Sequence, residues 1–265
     1  MTDQGFSADF IDTSVPHSAR MYDWFLDGKD HYAADVAAAK NVMTLMPGVK
    51  DTARSNREFM HRATRYLGHA GITQFLDIGT GIPTEPNLHQ IAQRITPNAR
   101  VVYADNDPIV LRHAEALLLG TPEGRTAYIH ADIRSPEVVL SYAQDHLDFS
   151  QPIGLSLVAL MQFVTDDQGP YEIVKRLLDP LVPGSYLMLS HVTWEFDPEI
   201  WERVDTIYRA GGTPVKARSH DEVTRFFDGL ELCDPGVILS THWHPDDEIR
   251  VREEQPLYVG VARKS

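Results

Sequence analysis

Short apolar runs alternate with stretches of helical spacing along most of this chain. Runs near 73–77, 100–105, 126–131, 153–160 and 185–191 have the length of strands, and helical patterns lie between them. Those helices are predicted to begin near 85, 108, 135 and 168; Leu88, Ile91, Ala92 and Ile95 form the stripe of the first, with Thr84 as its expected N-cap. Helices near 197–210 and 220–228 follow, the second opened by the capping-box pair Ser219 and Glu222 and stopped by Gly229. The last strand, 256–262, is expected to run antiparallel to one around 236–240. Such alternation predicts an α/β fold with a mostly parallel sheet covered on both faces.

Ahead of the first strand, residues 1–70 read as a helical arm and residues 71–265 as the α/β domain. The helix expected from about 51 to 67 is two-faced, with Phe59, Met60, Ala63, Tyr66 and Leu67 on one side and Arg54, Arg57, His61 and Arg65 on another. The apolar side packs down; the basic side is either a solvated face or a route for Arg54 or Arg57 to a ligand carboxylate. Tyr22, within Met21-Tyr22-Asp23-Trp24, is open between core packing and ligand contact. An arm this rich in aromatic residues is expected to cover the ligand mouth, so that removing residues 1–50 weakens binding.

The first strand ends in Asp77-Ile78-Gly79-Thr80-Gly81. Glycines just after a strand let backbone approach a ligand closely and adopt angles that a side chain forbids. An ordinary strand-to-helix loop is the alternative, and the spacing of acids argues against it. The second strand ends in Asp105, 24 residues past Gly81, where an acid takes ribose hydroxyls in dinucleotide-type folds, and the third runs into Asp132-Ile133. Three successive strands thus end in carboxylates, at the edge where open α/β sheets bind ligands.

These residues resemble the motifs of class I S-adenosylmethionine-dependent methyltransferases. The resemblance extends through 18–30, Ala53-Arg54-Ser55-Asn56-Arg57, 74–81 and Val102-Tyr103-Ala104-Asp105-Asn106-Asp107-Pro108 to a bacterial family of fold-assigned methyltransferases with an N-terminal helical extension, and covers nearly the whole chain. It implies a Rossmann-like, seven-stranded, mostly parallel sheet with an antiparallel last strand, and S-adenosyl-L-methionine as cofactor. Carried over, Gly79, Thr80 and Gly81 would pass beneath the methionine part and Asp77 would face its ammonium. Asp105, beside Asn106, would hold the ribose, Asp132 the adenine amino group and Ile133 the ring, with Tyr22 and Arg57 reaching in from the arm. One departure is Pro83, where many relatives carry a third glycine; lacking an N–H, it disfavours pyrophosphate at the helix entry.

Composition narrows the partners. Among 265 residues the net charge is −14, which argues against a nucleic-acid backbone and for a small-molecule acceptor. The single cysteine, Cys233, excludes an internal disulfide, the N-terminus lacks a signal core, and the longest apolar run, 153–164, is too short for a membrane span; a cytoplasmic protein is expected.

Methyl transfer to a hydroxyl or amine asks for alignment and removal of a proton. Residues after the fourth and fifth strands, Met161-Gln162-Phe163 and Ser190-His191-Val192-Thr193-Trp194-Glu195, are placed for this, and His191 is the candidate base, with a buried structural histidine as the alternative. The group His242-Trp243-His244-Pro245-Asp246-Asp247 lacks a third ligand group with metal spacing, so no metal is expected; Trp243 and Trp194 are candidate acceptor walls. Two other readings remain: a non-catalytic cofactor-binding protein, and a short-chain reductase suggested by the Tyr171-x-x-x-Lys175 spacing but lacking the glycine pattern of nicotinamide folds.

Overall fold

The computed structural model describes residues 12–110, 120–247, 250–251 and 253–265. Three helices come first: α1 (Ser18–Phe25), α2 (Ala33–Leu45) and α3 (Val49–His69). The sheet is built from β1 (Gln74–Ile78), β2 (Arg100–Asp105), β3 (Arg125–His130), β4 (Gly154–Val158), β5 (Tyr186–Val192), β6 (Glu231–Leu232), β7 (Ile238–Leu239) and β8 (Leu257–Arg263). Between them lie α4 (Leu88–Ile95), α5 (Pro136–Ala143), α6 (Pro170–Leu178), α7 (Pro198–Ala210) and α8 (His220–Thr224). The helix expected from 108 starts at 108–110 and then leaves the described residues.

The strand order is β3-β2-β1-β4-β5-β8, with the two-residue strands β6 and β7 both pairing on the outer side of β8. Strands β1 to β5 are parallel and β8 is antiparallel to β5. The order reverses between β1 and β4, leaving a crevice at the carboxyl ends of the strands, the place where such sheets take ligands. Alternation along each strand sends side chains to two cores. Leu76, Ile78, Val102 and Ala104 pack with Ile173 and Leu177 of α6. Phe75, Val101 and Tyr103 pack with Phe59, Met60 and Leu67 of α3 and with Leu88 and Ile91 of α4. The apolar stripe of α3 is therefore part of the sheet's own core, and burying those three α3 side chains contributes roughly 5 kcal/mol before entropy. A third cluster, Met21, Phe25, Ala39, Val42 and Ala53, fastens α1 and α2 to the start of α3.

Two local expectations change. Helix α4 is capped by Asn87, not Thr84: the Asn87 carboxamide oxygen accepts from the Thr84 N–H at 3.1 Å, and the Asn87 N–H donates to Gln90 Oε1 at 2.7 Å. Pro86 disfavours the helical conformation in Glu85, the residue that Thr84 would cap, so the helix settles later. The strand run 153–160 also stops at Val158, because Ala159 turns away with a φ of +54°.

Candidate functional site

One cavity of about 220 Å³ sits at the carboxyl ends of the parallel strands. Its walls include all ten residues expected to touch a cofactor: Tyr22 of α1, Arg57 of α3, Asp77, Gly79, Thr80 and Gly81 after β1, Asp105 and Asn106 after β2, and Asp132 and Ile133 after β3.

The turn after β1 is shaped by backbone. Gly79 and Gly81 have φ of +74° and +64°, and a Cβ on Gly79 would lie 2.6 Å from the Leu160 side chain, so glycine is required there by angle and by space. Asp105 is buried and locked: Oδ2 accepts from the Gly81 N–H at 2.8 Å and Oδ1 from the Asp107 N–H at 2.9 Å. Burial pushes its carboxyl up, while those two N–H groups oppose the shift. One carboxylate thus joins the tips of β1 and β2 and keeps a lone pair on each oxygen. Asp77 is raised to about 6, chiefly by burial and further by Asp105, against the pull of Ser156 and Arg57. Asp132 is half-exposed and held by Arg134, whose backbone and Nε donate to Oδ1 at 2.9 Å, and by Asn106 Nδ2 at 3.2 Å from Oδ2.

Arg57 does reach the cavity, but its Nη2 is used by the carbonyls of Thr84 and Pro86, clamping the loop between β1 and α4 to α3. Tyr22 donates its hydroxyl to the Ala53 carbonyl at 3.1 Å and accepts from Asn56 Nδ2 at 2.7 Å. Asn56 Oδ1 accepts from Ser190 Oγ at 2.5 Å, and Ser190 Oγ accepts in turn from the N–H of Ala159 at 2.8 Å. This chain of bonds runs from α1 through α3 and β5 to the left-handed residue that ends β4.

His191 is not brought to the cavity. It is fully buried, and its Nε2 accepts from Arg218 Nη1 at 2.8 Å while its Nδ1 donates to the Val192 carbonyl at 2.8 Å. Burial, and then the Arg218 charge, lower its pKa to about 3. An imidazole with both nitrogens used and so little basicity cannot receive a substrate proton, so the base role is withdrawn. Its partner Arg218, which sequence reasoning missed, also donates to the carbonyls of Met161 at 3.0 Å and Val164 at 2.9 Å and to Asp166 Oδ1 at 2.7 Å. It wraps the 3₁₀ turn Met161–Phe163 after β4, which lends Gln162 and Phe163 to the cavity wall. No local motif marks a buried arginine whose partners lie 27 to 57 positions away.

Neither tryptophan is an acceptor wall. Trp243 is buried edge-on against Phe59 and Tyr66 at 5.4 and 5.6 Å, and Trp194 lies outside the cavity. Tyr171, the tyrosine of the reductase spacing, bonds the Glu222 carbonyl away from the site. Among the described residues no group of three or more metal-ligating side chains occurs, and no helix is long and apolar enough to cross a membrane.

A glycine turn, three acids at successive strand tips and a sheet in this order define a class I methyltransferase architecture. The chain belongs to the S-adenosyl methyltransferase family, whose model matches residues 4–265. A crystal structure of a duf574 family protein from Streptomyces avermitilis is similar at 47% identity, with a TM-score of 0.91 and coverage of 96% of this chain and 99% of that one. A putative methyltransferase from Thermobifida fusca is 38% identical, with a TM-score of 0.87 and 96% of both chains covered. A SAM-dependent methyltransferase from Anabaena variabilis, 13% identical over 74% of this chain and 78% of its own, shares the fold with a TM-score of 0.51. No functionally curated protein matches significantly. The protein is an S-adenosylmethionine-dependent methyltransferase, and the cavity's chemistry fits that cofactor. A close-approach glycine turn, a locked carboxylate with free lone pairs and a desolvated acid suit a cationic nucleoside.

Proposed function

We propose that this methyltransferase acts on a small molecule, and that Asp77, the Gly79–Gly81 backbone, Asp105, Asp132 and Ile133 hold its cofactor. The observation that carries this reading is that one cavity includes all of those residues and continues past the tips of β4 and β5, where an acceptor can meet the methyl group. The net charge of −14 supports a small acceptor over a polyanion. When bound, S-adenosylmethionine supplies an activated methyl group on a sulfonium. The protein's part is to orient it: Asp105 accepts from the ribose hydroxyls, Asp77 faces the ammonium, and Asp132 and the Ile133 backbone take the adenine edge. Calorimetric titration with S-adenosylhomocysteine tests the assignment; no binding to the wild-type chain would end it.

The raised pKa of Asp77 adds a pH dependence. Only the carboxylate attracts an ammonium, so affinity for S-adenosylhomocysteine should fall about tenfold between pH 7.5 and pH 5, since Asp77 titrates at about 6. The Asp77→Asn variant should bind more weakly and lose that slope; a parallel slope in the variant would remove Asp77 from the ammonium site. Stability without ligand should move oppositely. The folded pKa lies above the unfolded value, so the contribution of neutral Asp77 is complete below about pH 3.9 and is lost as pH rises through about 6. Chemical denaturation should accordingly show Asp77→Asn gaining roughly 1–3 kcal/mol on wild type between pH 4 and pH 8.

We further assign the arm a covering role. His17, Ala19 and Tyr22 line the cavity, and α1 is strapped to the cofactor loop by charge. His17 Nδ1 lies 3.1 Å from Asp107 Oδ2, and the Arg20 guanidinium lies 3.8 Å from the same oxygen and 3.6 Å from buried Asp35. S-adenosylhomocysteine should then slow amide hydrogen exchange in α1 as well as at 77–81. Protection confined to the glycine turn would sink the covering role.

A further inference from the structure

The sheet order sets a direction along the cavity. Its charged walls, Asp77, Asp105, Asp132 and Arg134, stand at the tips of β1 to β3, the end just assigned to cofactor, with Arg57 of α3 beside Asp77. Beyond Val158 every lining residue is uncharged. Phe163 and Tyr208 pack against each other there, with ring centroids 5.7 Å apart and a tilt of 46°, and Pro214 and Leu257 line the same cavity. Burial pushes the Tyr208 phenol up, so it stays neutral. Both cavity arginines stand at the cofactor end: Arg134 pairs with Asp132, and Arg57, whose charge acts on Asp77, spends its Nη2 on two loop carbonyls.

Within this neutral, aromatic compartment the Gln162 side chain has an open hydrogen bond. Gln162 is only 6% exposed, and its Oε1 is buried with no partner in the protein. Its backbone is not free to turn it away: the Gln162 carbonyl accepts from the Lys216 N–H at 2.8 Å, and Arg218 holds the carbonyl on one side through Met161. A buried amide oxygen without a donor costs free energy, and rotation of the terminal amide toward the cavity that Gln162 lines lets a ligand hydroxyl or amine recover that cost.

We propose that Gln162 is the recognition residue of an acceptor subsite for a neutral aromatic molecule bearing a hydroxyl or amine, with Phe163 and Tyr208 holding the ring. This rests on the cofactor assignment above, because it takes the other end of the same cavity. The donor group that Gln162 orients is also the one to be methylated or lies beside it. A carboxamide cannot take up a proton, so Gln162 selects and positions the acceptor.

The test uses three probes that differ in one group: 2-naphthol, which donates a hydrogen bond; 2-methoxynaphthalene, which does not; and 2-naphthoate, which is anionic. Their affinities for the full chain are measured by ligand-observed NMR, with and without saturating S-adenosylhomocysteine. In the wild type 2-naphthol should bind about tenfold tighter than either of the others, the factor expected of one hydrogen bond to a buried acceptor. In Gln162→Leu, and in Gln162→Met as a second packing-compatible variant, 2-naphthol and 2-methoxynaphthalene should agree within twofold, while S-adenosylhomocysteine affinity is kept. Equal affinities in the wild type, a preference for 2-methoxynaphthalene or 2-naphthoate, absent 2-naphthol binding, or a preference that survives both substitutions would overturn the proposal. Failure of S-adenosylhomocysteine to bind would instead overturn the cofactor assignment, and leaves the naphthol series readable without it.

Discussion

Replacing Asp105 with alanine is expected to lower affinity for S-adenosylhomocysteine at least a hundredfold, the largest loss of any single substitution at the cofactor end. Two effects combine. Hydrogen bonds from ligand hydroxyls to a carboxylate are worth about 1.5–3 kcal/mol each, and two of them account for a factor of 100 or more. The same carboxylate also accepts from the Gly81 and Asp107 N–H groups, so its removal loosens the glycine turn and the Asp105–Asp107 loop together. Asp105→Asn separates these contributions: one side-chain oxygen remains as acceptor, so affinity should fall between wild type and alanine. Calorimetry on the three proteins decides the matter, and an alanine variant within threefold of wild type would remove Asp105 from the ribose site.

The second large effect lies where no cofactor residue stands. Arg218→Met keeps an unbranched apolar stem in place of a fully buried side chain but strips donors from the carbonyls of Met161 and Val164 and from His191 Nε2. Three buried acceptors lose their partner at 1 kcal/mol or more each, so unfolding free energy should drop by about 3–5 kcal/mol. For a chain of this size that lowers Tm by about 10 °C. Asp166 is exposed, so its loss of a partner adds little. S-adenosylhomocysteine affinity should change much less than 2-naphthol affinity, since the turn that Arg218 holds presents Gln162 and Phe163. A destabilisation below 1 kcal/mol in a denaturant titration would show the turn to be held by its packing alone.

These two residues divide in how they are read. Asp105 is legible because its placement is local: it ends an apolar run, and its separation from Gly81 is set by one helix and one strand. Asp77, Gly79, Gly81 and Asp132 are legible for the same reason. Thr84 as N-cap is a local misreading, because Pro86 holds Glu85 out of the helical region and the helix starts at Leu88 behind Asn87. His191 is misread for a different cause. Its position at the end of β5 is right for a catalytic base, but whether its ring turns to the cavity or to the opposite core depends on Arg218 and Phe226, the latter stacked on it at 5.8 Å. The tryptophans follow the same pattern: Trp243 is drawn into the core by Phe59 and Tyr66 of α3, which lie far off in sequence.

By itself the sequence determined the α/β alternation and the carboxyl-edge placement of the acids and glycines, the end of the cavity proposed for the cofactor. Those features follow from periodicity and backbone freedom within one strand–turn–helix unit. Only the tertiary structure decided the rest: that α3 completes the sheet's core, that Tyr22 and Asn56 tie the arm to the tip of β4, and that Arg218 takes His191 into the core and holds the turn after β4. Each of those depends on which buried polar group finds a partner, and such partners are chosen by packing between segments that no local pattern relates.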